Sequence, residues 1–204
     1  LDSSLTSKNE TWSVVVAVSD PYGEGASVEA SLTIDNSPPT MSTEPVALTP
    51  EEVYTDDELL CTYSEGSDLD EDTLSYTVSW LVDGVEVSGE TGSTLSGEHF
   101  SKGTEITCTV TIADDEESGD SVTSNTASVL NTEPVIANLA IVPQEAYATD
   151  VLTCIWEDYE DADDDDDETF LEWSVGRTDY GGDATLEGVF VFGDDVSCEA
   201  TAYD

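Results

Sequence analysis

The chain repeats itself. Tyr54 and Tyr147, Cys61 and Cys154, and Trp80 and Trp173 each lie 93 residues apart, so EEVYTDDELLC (51–61) reads against QEAYATDVLTC (144–154). KGTEITCTVTIAD (102–114) matches KNETWSVVVAVSD (8–20) at a lag of 94 and FGDDVSCEATAYD (192–204) at a lag of 90. The connecting segments match too, DNSPPT (35–40) against LNTEPV (130–135), which pairs Asn36 with Asn131. A period of this length is too long for a solenoid repeat and has the size of one small β-sandwich. It divides the chain into residues 1–36, the last strands of one unit; 37–131, a complete unit; and 132–204, a unit lacking its last strand. The proline in each connecting segment predicts a semi-rigid joint.

Within a unit the pattern is that of strands. TWSVVVAVSD, TLSYTVSW and EITCTVTIAD are rich in β-branched and aromatic residues and are separated by turn residues. Alternation places Leu59, Cys61 and Tyr63 on one face, as it does Tyr76, Val78 and Trp80, and Cys108, Val110 and Ile112. Asp83-Gly84 supplies a two-residue hairpin turn. The expected fold class is all-β, with tandem sandwiches in a linear array.

Each full unit also carries a Cys, a Trp nineteen residues later, and a second Cys: Cys61, Trp80 and Cys108, then Cys154, Trp173 and Cys198. Strand-B Cys, strand-C Trp and strand-F Cys in that order mark immunoglobulin-like sandwiches. With the acidic Asp-x-Asp-x-Asp loop of TYSEGSDLDEDTLSYTVSWLVDGVEV (62–87), the units resemble the tandem immunoglobulin-like domains of bacterial surface and fibre proteins, in the style of PKD and cadherin modules. The resemblance implies structural disulfides Cys61–Cys108 and Cys154–Cys198 and an oxidising, extracellular setting. Zinc is the competing use of the cysteines, but there is no CxxC pair and His99 is the single histidine. Val14 stands at the matching position of the first, partial unit, which cannot form the same bridge.

Forty-eight acids against Lys8, Lys102 and Arg177 give a net charge of −45. Phosphates would be repelled, so nucleic acid and anionic membrane are not expected partners, and no apolar run is long enough for membrane insertion. The densest acid is DADDDDDE (161–168), and SDLDED (67–72) occupies the same place one repeat earlier. Both follow a strand-B Cys and read as B–C loops. Asp68, Asp70 and Asp72 thus align with Asp161, Asp163 and Asp165, and Asp114 aligns with Asp204 at the end of strand F. In such sandwiches the B–C and F–G loops share one pole, which Asn36 or Asn131 also enters. Two readings stay open for this convergence: calcium, which takes six to eight oxygens from carboxylates and carbonyls, or a solvated acidic face. Neither loop is an EF-hand, because Thr73 and Asp166 occupy the position that needs glycine. Asp164, Asp166, Asp167 and Glu168 read as solvated charge.

No nucleophile, base or phosphate loop stands out, and carboxylate pairs among so many acids are uninformative, so the chain is not expected to be an enzyme. Lys8 and Lys102 read as residues that fix the turn before strand F. The expected role is a structural segment of an extracellular filament, stalk or surface fibre, its partners being other copies or neighbouring domains. The alternative is an adhesin or glycan-binding module, with Arg177 and Tyr180 as the candidate exposed pair. Covalent continuation of the array is expected rather than a strand donated by a neighbour.

Overall fold

The computed structural model describes residues 5–204; the first four residues of the expected 1–36 segment lie outside them. The strands are β1 (Thr11–Asp20), β2 (Gly23–Thr33), β3 (Ala47–Thr49), β4 (Val53–Tyr54), β5 (Glu58–Thr62), β6 (Ser75–Val82), β7 (Val85–Glu86) and β8 (Thr94–Ser96). They continue with β9 (Glu105–Ala113), β10 (Ser118–Thr123), β11 (Ala127–Leu130), β12 (Val135–Val142) and β13 (Val151–Glu160). The last are β14 (Phe170–Val175), β15 (Thr178–Asp179), β16 (Thr185–Glu187) and β17 (Val196–Thr201). A 3-10 turn, Gly97–His99, follows β8. The all-β expectation holds.

The described residues form two compact units, one of residues up to 51 with 58–95 and 105–127, the other of residues 52–57, 96–104 and 128–204. In the first unit β1 and β2 make a long antiparallel hairpin. Beside it in sequence is a sandwich whose one sheet has the order β3-β5-β8 and whose other contains β7, β6, β9 and β10. Alternation decides which residues form its interior: Leu59 and Cys61 of β5, Val78 and Trp80 of β6, and Ile106, Cys108, Val110 and Ile112 of β9 are buried. The Cys61–Cys108 bridge, spanning 47 residues, joins β5 of one sheet to β9 of the other. Trp80 pairs with Cys108 across the β6–β9 ladder, and its indole N–H donates to the Gly92 carbonyl at 2.9 Å. Asp83 and Gly84, both at positive φ, make the tight turn that lets Val82 pair with Val85.

The second unit builds the same sandwich from β12-β13-β16 and β15-β14-β17. Its bridge, Cys154–Cys198, joins β13 to β17 across 44 residues. Trp173 pairs with Cys198 as Trp80 does with Cys108, and donates to the Asp183 carbonyl at 2.8 Å. Leu152, Leu171, Leu186 and Phe190 complete the core around it. Two packed sheets, an inter-sheet disulfide and a tryptophan beside it constitute an immunoglobulin-like sandwich. Also in this unit, β4 and β11 run parallel through Val53↔Val129 and Tyr54↔Leu130.

Both expected disulfides are present and there is no free cysteine. Replacing Cys61 and Cys108 together by alanine is expected to cost about 4 kcal/mol of unfolding free energy from loop closure. Trp80→Ala, which empties a fully buried site, should cost about 3–5 kcal/mol. Urea titration measures both, and a loss well under 1 kcal/mol in either variant would show that the pin does not hold the sandwich.

Candidate functional site

The acidic stretches are loops, SDLDED between β5 and β6 and DADDDDDE between β13 and β14. The first is held on the sandwich by Gly66, whose N–H donates to the Tyr76 hydroxyl at 2.8 Å. A Cβ at Gly66 would stand 2.3 Å from the Thr40 carbonyl oxygen, so only glycine lets the loop lie this close to the incoming chain. Thr40 and Ser67 then exchange backbone hydrogen bonds of 2.9 Å.

Backbone donors organise each trio of aspartates in the same way. Asp68 Oδ1 accepts from the N–H groups of Asp70 (2.7 Å) and Asp72 (3.3 Å), and Asp161 Oδ1 accepts from the N–H of Asp163 (2.6 Å). The connecting segment adds one N–H to each, Ser37 to Asp70 Oδ2 at 2.7 Å and Thr132 to Asp163 Oδ2 at 2.6 Å. The Thr55 hydroxyl also donates to Asp163 Oδ1. In each loop one oxygen from each of the three carboxylates falls within 4.8 Å of the others. Asp68 Oδ2 and Asp161 Oδ2 are shielded from solvent and accept no hydrogen bond. Such an atom carries the full cost of lost hydration.

A lysine reaches each trio. Lys8 Nζ donates to Asp72 Oδ2 at 2.5 Å and to Asn36 Oδ1 at 2.9 Å, and pairs with Glu116 Oε1 at 2.7 Å. Lys102 Nζ donates to Asp165 Oδ2 and, at 2.6 Å, to Asn131 Oδ1. The expectation that these lysines only fix the turn before strand F is corrected here. Turn fixing is local, whereas each ammonium bonds an asparagine of the connecting segment and an aspartate of an acidic loop. The hydrogen bonds that the Lys8 ammonium donates to Asp72 and then to Glu116 push it well above its ordinary range. The hydrogen bond to Asp165 does the same for Lys102.

Asp114 and Asp204 are not among the carboxylates that lie within 4.8 Å of one another, although the Asp204 charge acts on Lys102 and Tyr159 together with those of the second trio. Asp114 is buried; its Oδ1 accepts the N–H groups of Glu116 and Glu117, each at 2.7 Å, and its Oδ2 accepts from Asn36 Nδ2 at 3.0 Å. The Asn36 bond first, then the two backbone bonds, holds this carboxyl below its usual range. Asn36 thus links Lys8 on its oxygen to Asp114 on its nitrogen. Asp204 Oδ2 is shielded and unbonded. Burial, then the charges of Asp161 and Asp204, pushes the Tyr159 phenol upward.

Within DADDDDDE, Asp161, Asp163 and Asp165 are partly buried while Asp164, Asp166, Asp167 and Glu168 are exposed. Asp167 is more than solvated charge, because it accepts from the Trp156 indole at 3.3 Å and the Thr169 N–H at 2.9 Å. Arg177 lies in the turn between β14 and β15, and the Tyr180 N–H donates to the Trp173 carbonyl at 2.9 Å as a continuation of the sheet.

No family model matches the chain, and no curated protein matches it. Among solved structures, the chicken CNTN1 FN1–FN3 domains are similar with a TM-score of 0.33 and 8% identity, over 97% of this chain and 71% of that one. A superposition that loose carries no argument about fold, ligand or role.

Because the folded Asp114 pKa lies below its unfolded value, this carboxylate stabilises the fold above the ordinary carboxylate range, and the contribution is lost as pH falls through the folded pKa. Acid also relieves the general repulsion among carboxylates, so the difference between variants is the informative quantity. Asp114→Asn should lower the melting temperature at neutral pH and lose less of it than the wild type on acidification. Parallel melting curves from pH 7 down to about 3 would refute this if the two proteins shifted equally.

Proposed function

We propose that the chain is a structural segment of an extracellular filament, stalk or surface fibre made of repeated immunoglobulin-like beads, of the kind found in bacterial PKD- and cadherin-style surface proteins. The observation that carries this reading is a contact built twice. Lys8–Asn36–Asp72 and Lys102–Asn131–Asp165 use equivalent residues of the repeat, and in both the asparagine belongs to the proline-bearing connecting segment. Two of only three cationic side chains are committed to it. A joint clamped the same way at each repeat favours reach and stiffness over catalysis, and the chain is read as a non-enzyme. Two structural disulfides suit an extracellular location. Neighbouring beads and other copies are the expected partners.

Calcium fits the acidic loops. The donors are hard carboxylate oxygens, one from each aspartate of a trio within 4.8 Å of the others, and the shielded Asp68 Oδ2 and Asp161 Oδ2 accept no hydrogen bond, which supports a cation as their partner. Asp68, Asp70 and Asp72 would hold one ion, and Asp161, Asp163 and Asp165 another. In the second loop three carboxylates and the Lys102 ammonium leave a double negative charge for a divalent ion to neutralise. Asp114 and Asp204 lie outside the trios and would contribute through the surrounding field. Bound calcium would tie each loop to the connecting segment that already donates to it, and so stiffen the joint.

A ligand of the folded state alone stabilises by about 2.7 kcal/mol at one hundred times its dissociation constant. Millimolar calcium should therefore raise the melting temperature, and Asp68→Asn with Asp161→Asn should abolish the rise. An equal rise with sodium chloride at matched ionic strength would reduce the effect to screening and remove calcium from the proposal. Electron micrographs of the native material should show filaments; dispersed globular particles would count against the fibre itself.

A further inference from the structure

Each lysine meets one end of an acidic trio and leaves the other end unmet. Lys8 Nζ donates to Asp72 Oδ2 at 2.5 Å and is held there by Asn36 Oδ1 at 2.9 Å and Glu116 Oε1 at 2.7 Å. Lys102 Nζ donates to Asp165 Oδ2 and, at 2.6 Å, to Asn131 Oδ1. Asp72 and Asp165 are the last aspartates of their trios. The shielded oxygens that accept no hydrogen bond, Asp68 Oδ2 and Asp161 Oδ2, belong to the first. One oxygen of each carboxylate lies within 4.8 Å of the others, which joins the two ends. A cation held by a whole trio therefore shares its last carboxylate with an ammonium.

Two effects of opposite sign follow from that sharing. The ammonium orders the shared carboxylate, and ordering one side chain favours a further ligand by about threefold to tenfold. It also repels the ion. A divalent cation one carboxylate away stands on the order of 5 Å from the ammonium, and repulsion there weakens binding by about fifteenfold at the dielectric constant of water. In a partly buried setting the same repulsion exceeds about a hundredfold. The Lys8 side chain is 16% exposed and that of Lys102 39%, so repulsion outweighs ordering, most strongly at Lys8. Both groups keep their charge, because the hydrogen bonds to Asp72 and to Asp165 raise them above the already basic lysine range. Nor can either swing clear of the ion without giving up its bond to Asn36 or Asn131.

We propose that Lys8 and Lys102 set the calcium affinity of the acidic loops, each as a tethered cation against which the ion must bind. The inference rests on the calcium reading and gives these lysines a regulatory part in it. With the ammonium in place the trio belongs at the weak end of calcium sites, at dissociation constants of about 10⁻⁴ to 10⁻³ M, the range of extracellular modules. Filling of the loops then follows the calcium of the surroundings. The coupling is reciprocal, so a bound ion loosens the hold of the ammonium on Asp72 or Asp165 by the same factor.

Calorimetric titration of the 204-residue chain with calcium chloride, in about 0.15 M sodium chloride, tests this on the wild type, Lys8→Met, Lys102→Met and Lys8→Arg. Methionine keeps an unbranched stem and removes the charge, whereas arginine keeps the charge. Each methionine variant should bind one of two ions about tenfold or more tightly than the wild type, with the other unchanged. Lys8→Arg should bind as the wild type does. Melting curves add a second readout: Lys8→Met should melt below the wild type in chelator, and millimolar calcium should narrow the gap. Should Lys8→Met not fold without calcium, Lys102→Met, altered at the more exposed side chain, carries the test. Methionine variants that bind calcium no more tightly than the wild type would overturn the role of the lysines and leave the calcium reading standing. Absence of calcium uptake by the wild type and the methionine variants alike would remove the calcium reading, and this inference with it.

Discussion

The pairing of a tryptophan with a disulfide half-cystine across one ladder is what the rest of each sandwich depends on. Trp80 beside Cys108 and Trp173 beside Cys198 place the largest buried side chain against the bond that ties the two sheets. Small domains bury too little apolar surface to be strongly stable without such a staple. The pin also orients the acidic pole. The strands that carry Cys61 and Cys154 lead into the acidic loops, and β9 leads from Cys108 to Asp114. A shift of one residue in these ladders would turn the core outward and scatter the carboxylates.

With the interior secured, the carboxylates of a chain with a net charge of −45 still repel one another. The structure answers this repulsion locally with directed donors. Backbone N–H groups point at Asp68, Asp70, Asp114, Asp161 and Asp163, and the two lysines take the outer aspartate of each trio. Exposed ion pairs on their own contribute little. Here each lysine is also bonded to an asparagine of the connecting segment, so the contact fixes geometry more than it adds stability. The oxygens left over, Asp68 Oδ2 and Asp161 Oδ2, are the same atom in both repeats. The recurrence follows from the shared loop geometry of the two repeats.

The repeat also makes its exceptions informative. Where two positions carry lysine and the third carries Phe192, the same surface changes from one that grips carboxylates to one that avoids water. Where two positions carry a bridged cysteine, the first carries Val14 and forms no bridge. Neither departure disturbs the strand pattern.

Strand identity, the inward face of β5, β6 and β9, both disulfides and the loop character of DADDDDDE were all legible in the sequence. Period-two alternation and the Cys…Trp…Cys order are local or repeated signals that burial must obey. Tertiary structure alone decided which carboxylates meet. Asp114 aligns with the pole, yet its oxygens are taken by its own turn and by Asn36, so it stays out of the trio. The reach of Lys8 across 64 residues to Asp72, and of Lys102 across 63 to Asp165, was likewise invisible. A lysine on an exposed turn has many possible partners in so acidic a chain, and its choice depends on how the connecting segment brings two loops together in space.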